Sequence, residues 1–388
     1  MARSAIDYRE MVTRLVGFDT TSRNSNLALI EFVRDYLDRH KVASELVFAE
    51  DGGKANLYAT IGPDDRRGIM LSGHTDVVPI DEQDWHSDPF TLLQKDDRLY
   101  GRGSADMKSF IAIVLTLVPE LVRRKLRTPI HLSFSYDEEV GCIGVRRLIG
   151  VLANRPNRPR LCIVGEPTGM QIGIAHKGKH TLRCHVHGYE AHSSQIHHGV
   201  NAIEAAAEMV AKLKEIARRK RDHGPFDPDF DPPYSSVHTG LIRGGTALNI
   251  VPKDCEFDFE VRPLPGDDVD ALIDELRRFA ADRILPEMRA VRPETDIVIE
   301  ELSAAPGLNT PADAEVTQLA AALTGANETM KVSFGTEGGL FQAAGIPAVI
   351  CGPGSIDQAH KPDEYIELEQ VARCERFLRR LIDRVSER

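Results

Sequence analysis

Apolar residues recur at helical spacing from Tyr8 to Phe18 and again from Leu27 to His40, where Leu29, Ile30, Phe32, Val33, Tyr36 and Leu37 mark one face. The chain therefore opens with two amphipathic helices. Short apolar runs bounded by turn residues come next: Ser44–Phe48, Asn56–Ile61 before Gly62-Pro63-Asp64-Asp65, and Ile69–Leu71 leading into Ser72-Gly73-His74. These read as neighbouring strands. Met107 to Arg124 is a strongly apolar helix, and Pro129 to Tyr136 is a strand with Ile130, Leu132, Phe134 and Tyr136 on one face. A buried helix from Ile143 to Leu152 and a strand from Leu161 to Val164 follow. Strands alternating with helices, with acids where the strands end, predict an α/β sheet that carries its site at the strand C-termini.

The texture changes near Gly178. A strand (Thr181–Val186), a helix (Val200–Ala217), two strands (Ser236–Ile242 and Ala247–Arg262), a helix (Val269 to about Ile284) and a strand (Asp296–Leu302) succeed one another. In the strand ending at Arg262, Cys255, Phe257, Phe259 and Val261 share one face, while Glu256, Asp258, Glu260 and Arg262 share the other. This order predicts an α+β unit, residues 178–305, inserted into a domain made of residues 1–177 and 306–388. A helix from Pro311 to Leu323, a strand from Pro347 to Cys351 and a helix from Leu368 to Val385 complete that domain.

At 388 residues the chain exceeds the size of one core, and at 42% hydrophobic it can fill two. A formal net charge of −11 argues against nucleic acid or an anionic membrane as partner. The basic run Lys212 to Arg221 suits a helix C-terminus. The six cysteines are scattered without a C-x-x-C, as expected of buried thiols in a reducing compartment. Met1 to Phe18 has no signal-like apolar block, and no stretch approaches the roughly 18 apolar residues that would span a bilayer. The expectation is a cytoplasmic protein.

His74 and Asp76 stand two apart at the end of an apolar run, so in a strand they share a face, and Asp76 is placed to take the second ring N–H of a metal-bound His74. Asp106 follows the turn-rich Gly101–Ala105 at a helix N-terminus, where capping explains it equally well. Asp137-Glu138-Glu139 puts three carboxylates at the start of a buried helix, more than capping needs. Glu166 closes the Leu161 strand, and His360 lies in a polar loop. His74, Asp106, Glu139, Glu166 and His360 form an imidazole and carboxylate set suited to Zn²⁺, Co²⁺ or Mn²⁺. With one acid bridging they would hold two ions, and Glu138 is the available proton carrier.

Taken together these segments resemble the di-zinc amidohydrolases that include acetylornithine deacetylases, succinyl-diaminopimelate desuccinylases and aminoacylases. The resemblance runs over nearly the whole chain. It is carried by Ser72-Gly73-His74-Thr75-Asp76-Val77-Val78-Pro79, Gly101-Arg102-Gly103 to Asp106-Met107-Lys108, Asp137-Glu138-Glu139, Gly165-Glu166-Pro167-Thr168, Ala191-His192-Ser193-Ser194, Asn249-Ile250-Val251-Pro252 and Arg262. The closing Gly352-Pro353-Gly354-Ser355 to Gln358-Ala359-His360-Lys361-Pro362-Asp363-Glu364-Tyr365 looks most like the acetylornithine branch.

The resemblance implies a di-metal exopeptidase-like catalytic domain, a mixed sheet flanked by helices, with an inserted ferredoxin-like lid and dimerisation domain in a homodimer. It implies one metal on His74, Asp106 and Glu166 and another on Asp106, Glu139 and His360, with Zn²⁺ the first expectation and Co²⁺ the alternative. Glu138 would be general base and then acid, and His192 would stabilise the oxyanion across the dimer. Arg262 and Asn249 would hold the substrate carboxylate. The blander readings are a surface His in a His-rich region, a surface ion pair and a turn residue. Glu337 is the candidate for the δ-ammonium, against a loop acid exposed to water. The implied reaction on a small acylated amino acid is hydrolysis of N-acetyl-L-ornithine to L-ornithine and acetate. Desuccinylation, another deacylation or dipeptide cleavage is the near alternative. A metal or amino-acid binder without chemistry is the distant one, and Glu138 counts against it.

Overall fold

In the computed structural model, which describes residues 6–387, residues 1–5 of the opening segment and Arg388 lie outside the described residues. The chain divides into two units. One holds the chain up to Ala175, Leu308–Lys331 and Thr336 onwards; the other holds His176–Gly307 and Val332–Gly335.

The first unit begins with α1 (Tyr8–Val16), α2 (Leu27–Arg39), β1 (Ser44–Phe48), β2 (Ala55–Ile61), β3 (Ile69–His74), α3 (Lys108–Arg123), β4 (Ile130–Ser135), α4 (Gly144–Ala153), β5 (Leu161–Pro167) and β6 (Ile172–His176). The second comprises β7 (Lys179–His187), α5 (Ala202–His223), β8 (Ser236–Gly244), β9 (Asp254–Arg262), α6 (Val269–Phe279), α7 (Leu285–Val291) and β10 (Asp296–Ala305). Then β11 (Leu308–Asn309), α8 (Glu315–Thr324), α9 (Gly338–Ala343), β12 (Ala348–Gly352) and α10 (Leu368–Val385) complete the first.

The main sheet of the first unit runs β1-β2-β4-β3-β5-β12-β6-β11. β3 is parallel to both β4 and β5, and β5 to β12, whereas β1, β2 and β4 pair antiparallel. Every residue of β3, β4 and β5 is buried, as expected of parallel strands covered on both faces. α3 lies hard against them. A Cβ at Gly73 would come within 2.8 Å of Met107 Cε, and one at Gly165 within 2.1 Å of the Phe110 ring. Those glycines bring the N-terminus of α3, and with it Asp106, down to the ends of the central strands.

The second unit is a four-stranded antiparallel sheet in the order β8-β9-β7-β10. Second, third, first, fourth is the strand order of a ferredoxin-like unit. Leu182, Cys184 and Val186 of β7 and Cys255, Phe257, Phe259 and Val261 of β9 pack with Ala206, Met209, Leu213 and Leu276 of the helices. Arg183, His185 and His187 therefore take the outer face, by strand alternation.

Two expectations need correction and one is refined. The strand expected from Ala247 starts at Asp254: Pro252 has no N–H to give a ladder, and Val251 N–H bonds Ala191 O at 2.8 Å instead. The helix expected from Val269 to about Ile284 is helical over that range, α to Phe279 and π over Ala280–Ile284, and α7 continues it with Pro286, which lacks an amide donor, in its first turn. The helix expected from Pro311 begins at Glu315, after a turn closed by Ala314 N–H to Pro311 O. β6 and α9 have no counterpart in the sequence reading.

Candidate active site

Because β4, β3 and β5 are adjacent and parallel, their C-terminal ends share one edge of the sheet. His74 ends β3, the Asp137–Glu139 loop follows β4, and Glu166 is the penultimate residue of β5. Asp106 joins them just before α3, and His360 comes from the loop after β12. His74 Nε2 is 2.9 Å from Asp106 Oδ1 and 3.6 Å from Glu166 Oε1. His360 Nε2 is 3.3 Å from Asp106 Oδ2 and 3.1 Å from Glu139 Oε2. Each oxygen of Asp106 thus faces a different imidazole, and each imidazole has a further carboxylate. The structure brings all five side chains expected as ligands together in the first unit.

Asp76 acts differently from the expectation. His74 Nδ1 lies 2.9 Å from the Asp76 main-chain oxygen and 3.6 Å from its carboxylate, so the carbonyl is the nearer acceptor. The chain leaves strand geometry after His74, and the Asp76 carboxylate turns to the acid loop. There it accepts from Glu138 N–H at 3.1 Å and Glu139 N–H at 3.3 Å, and from the Ser22 hydroxyl at 2.8 Å. Lys54 bonds Asp137 at 2.5 Å, at a residue with φ of 54°. The loop is held at both ends.

Glu364 and Arg102 are positioning residues that the sequence reading left without a role. The Glu364 carboxylate accepts from the amides of Gly103, Ala105 and Asp106 at 3.0, 2.8 and 3.0 Å, and from Arg102 Nη1 at 2.7 Å. Both side chains are 1% exposed. They clamp the loop that presents Asp106. The signal was a charged pair lying inside two otherwise conformationally restricted motifs, Gly101-Arg102-Gly103 and Pro362-Asp363-Glu364.

Packing this much charge out of water moves its proton affinities. Burial, then Asp106, push Glu166 well above the usual carboxylate range, and the same two causes raise Glu139. Burial opposes ionisation of Asp106, but hydrogen bonds from His360 and His74 outweigh it and hold its pKa low. Hydrogen bonds to Asp106 and Glu139 raise His360 to about 10. Glu138 is a partly exposed residue whose carboxyl lies inside; burial, opposed by His74 and assisted by Glu139, Glu337 and Asp76, lifts it to about 8. Cys142 Sγ donates to Glu138 Oε1 at 3.3 Å.

The donors fit divalent cations. His74, Asp106 and Glu139 offer ligand atoms within 4.8 Å of one another, as do His74, Glu138 and Glu166. Glu139 Oε1 is buried without a hydrogen-bond partner among the described residues. Oxygen and imidazole nitrogen without thiolate suit Zn²⁺, Co²⁺ or Mn²⁺, and clustered buried carboxylates require positive charge to stay ionised.

Glu337 is not a water-exposed loop acid. It is 1% exposed just ahead of α9, with Oε2 3.3 Å from the Ser72 hydroxyl and Oε1 without a hydrogen-bond partner among the described residues. Burial, moderated by Ser135 and His74, raises it to about 7. Gly338 and Gly339, unexplained from sequence, are buried in the first turn of that helix. A Cβ on Gly338 would come within 3.1 Å of Thr336 Oγ1.

His192, Asn249 and Arg262 belong to the second unit. His192 is exposed and caps a short 3₁₀ turn, its Nδ1 accepting from Ser194 N–H at 3.2 Å. That bond leaves the proton of a neutral imidazole on Nε2. Asn249 lies in the exposed loop before β9, and its carbonyl accepts from Ser193 N–H at 3.0 Å. Arg262 ends β9 and is held by Glu260 through Nε at 2.6 Å and Nη2 at 3.3 Å.

The model of peptidase family M20/M25/M40 matches residues 70–384. The chain is 34% identical over 382 residues to the acetylornithine deacetylase of Proteus mirabilis (strain HI4320), covering 97% of this chain and 95% of that protein. It is 36% identical over 386 residues to that of Myxococcus xanthus, covering 96% of each. An M20 family metallo-carboxypeptidase from Sulfolobus solfataricus shares the fold with a TM-score of 0.75 at 16% identity, over 97% of this chain and 98% of that one. A dinuclear metal-binding peptidase of the M20 family from Bacillus subtilis does so with a TM-score of 0.66 at 15% identity, over 97% of each.

Proposed function

We propose, because this chain belongs to peptidase family M20/M25/M40, that it is a metal-dependent hydrolase removing the acetyl group of N-acetyl-L-ornithine to give L-ornithine and acetate. One observation carries the reaction class: the two oxygens of Asp106 face His74 and His360 separately, each imidazole beside a further acid, with Glu138 adjoining. The substrate is supported by the names of the relatives.

His74, Asp106 and Glu166 would hold one divalent cation and Asp106, Glu139 and His360 the other, Zn²⁺ in first place and Co²⁺ in second. Such ions acidify water and polarise a carbonyl. Glu138 takes a proton from the attacking water and returns it to the departing amine nitrogen, a task suited to a carboxyl whose burial lifts its pKa to about 8. His192 offers its Nε2 proton to the carbonyl oxygen as that oxygen gains charge, from the partner subunit of a homodimer formed through the second unit. Edge strand β8 supports that assembly by exposing Leu241 and Ile242. Arg262 exchanges Glu260 for the substrate carboxylate, aided by Asn249, and the unpartnered Oε1 of Glu337 receives the δ-ammonium. The six buried, free cysteines support a cytoplasmic setting.

The test separates ligand from catalyst. Glu138→Ala should keep the metal content of the wild type and lose about 10²–10⁴ in kcat for acetate release, whereas Glu139→Ala should lose bound metal. Near-normal turnover in Glu138→Ala with metal retained would overturn the proton-carrier role. No acetate release by the metal-loaded wild type would remove this substrate and leave another acylated amino acid.

A further inference from the structure

A second set of metal-ligating side chains lies on the outer face of the second unit's sheet. His185 and His187 stand two residues apart in β7 and project from one face. Asp254 of β9 is the register partner of His187, and Glu256 that of His185. The two imidazoles stack with centroids 4.3 Å apart and 18° between planes, and His187 Nδ1 is 3.1 Å from Asp254 Oδ1. His185, His187 and Asp254 each offer a ligand atom, all within 4.8 Å of one another.

An ordinary exposed ion pair would explain His187 with Asp254, but not the second imidazole held face to face with the first. The neighbouring acids are otherwise engaged. Glu256 has Arg243 at 3.7 Å and Arg183 at 3.9 Å, Glu190 has Lys253 at 3.9 Å, and Asp296, the partner of His187 on its other side, has Arg289 at 2.9 Å. Asp254 has no arginine or lysine among the ion pairs of the described residues. His185 and Asp254 also line a cleft of ≈ 310 Å³ whose basic side chains, Arg243 and Lys253, lie nearest Glu256 and Glu190 in the ion pairs above.

We propose that His185, His187 and Asp254 form a further divalent-cation site, for Zn²⁺ or Ni²⁺, with two imidazole nitrogens and one carboxylate oxygen from the protein and water in the remaining positions. Imidazole selects these ions over Mg²⁺ and Ca²⁺, and three protein donors leave the sphere open. The ion ties β7 to β9 on the face opposite the unit's core.

The test counts metal. Protein loaded with its other cations is dialysed against Zn²⁺, and bound zinc per chain is measured for wild type, His187→Ala and Asp254→Ala. The wild type should bind one equivalent more than either variant, or bind it roughly tenfold or more tighter, with kcat for the hydrolysis unchanged. Counting by difference makes the result independent of how many ions the first unit holds and of whether its reaction is correctly assigned. Equal zinc content and affinity in all three proteins would overturn the proposal, as would an extra equivalent that survives His185→Ala combined with His187→Ala.

Discussion

The edge of the first unit's sheet and the outer face of the second unit's sheet are built from the same side chains, histidines beside carboxylates, and differ in their access to water. At the first edge His74 is 1% exposed and Asp106 5%, so each charge is felt by its neighbours at low dielectric and proton affinities move by large amounts. On the second face, His187 and Asp254 keep about half of their side-chain surface in water. The same chemistry therefore stabilises little there, and an ion would be recruited by donor geometry alone. Burial makes the first set costly without cations; exposure makes the second optional.

The contrast can be broken most directly at the Asp106 clamp. Arg102→Met leaves the Glu364 carboxylate buried against three amides without its guanidinium, and should cost about 3–5 kcal/mol in urea unfolding. A loss below about 1 kcal/mol would place this pair with surface bridges.

His131 tests burial without a catalytic role. It is 0% exposed, with Nδ1 2.8 Å from the Tyr58 hydroxyl, and burial followed by Arg155 lowers it to about 4. Protonation favours the unfolded chain, whose imidazole titrates near its ordinary value. The contribution is fully present above that value and is lost as pH falls through 4, worth up to about 3 kcal/mol. His131→Gln keeps an acceptor but does not titrate. The stability difference between wild type and variant should shift in the variant's favour from pH 7 to 4; a difference independent of pH would contradict the burial account.

The smallest effect is expected on the outer face. Arg183 binds Asp258 in a fork at 2.7 and 2.9 Å, with side chains 35% and 19% exposed. A double-mutant cycle should give a coupling of about 0.2–1 kcal/mol that shrinks with salt. A coupling as large as that at the clamp would remove the distinction between the two regions.

The pattern of apolar positions alone located the central strands and most of the helices, because burial on two faces leaves continuous runs such as Ile69–Leu71 and burial on one leaves alternation such as Cys255, Phe257, Phe259 and Val261. It overextended where a local chemical exception lay inside a favourable pattern, at Pro252 before β9. It passed over β6 and α9 because their glycines carry no periodicity, though Gly173 lies against Ile350.

The sequence by itself narrowed which residues could serve as ligands, since His74 and Glu166 close apolar runs while Asp106 after a turn and His360 in a polar loop carry no such mark, and the five expected side chains do meet. Only the tertiary structure decided how they are held. Glu364 is 258 residues from the Asp106 amide it accepts, Asp76 accepts from the amides of Glu138 and Glu139 while staying 3.6 Å from His74, and Glu337 reaches Ser72 across 265 residues to lie buried instead of exposed. A one-dimensional pattern records how often a position meets water or core. It does not record which distant backbone amide a buried carboxylate finds, because that partner is chosen by packing after the strands have paired.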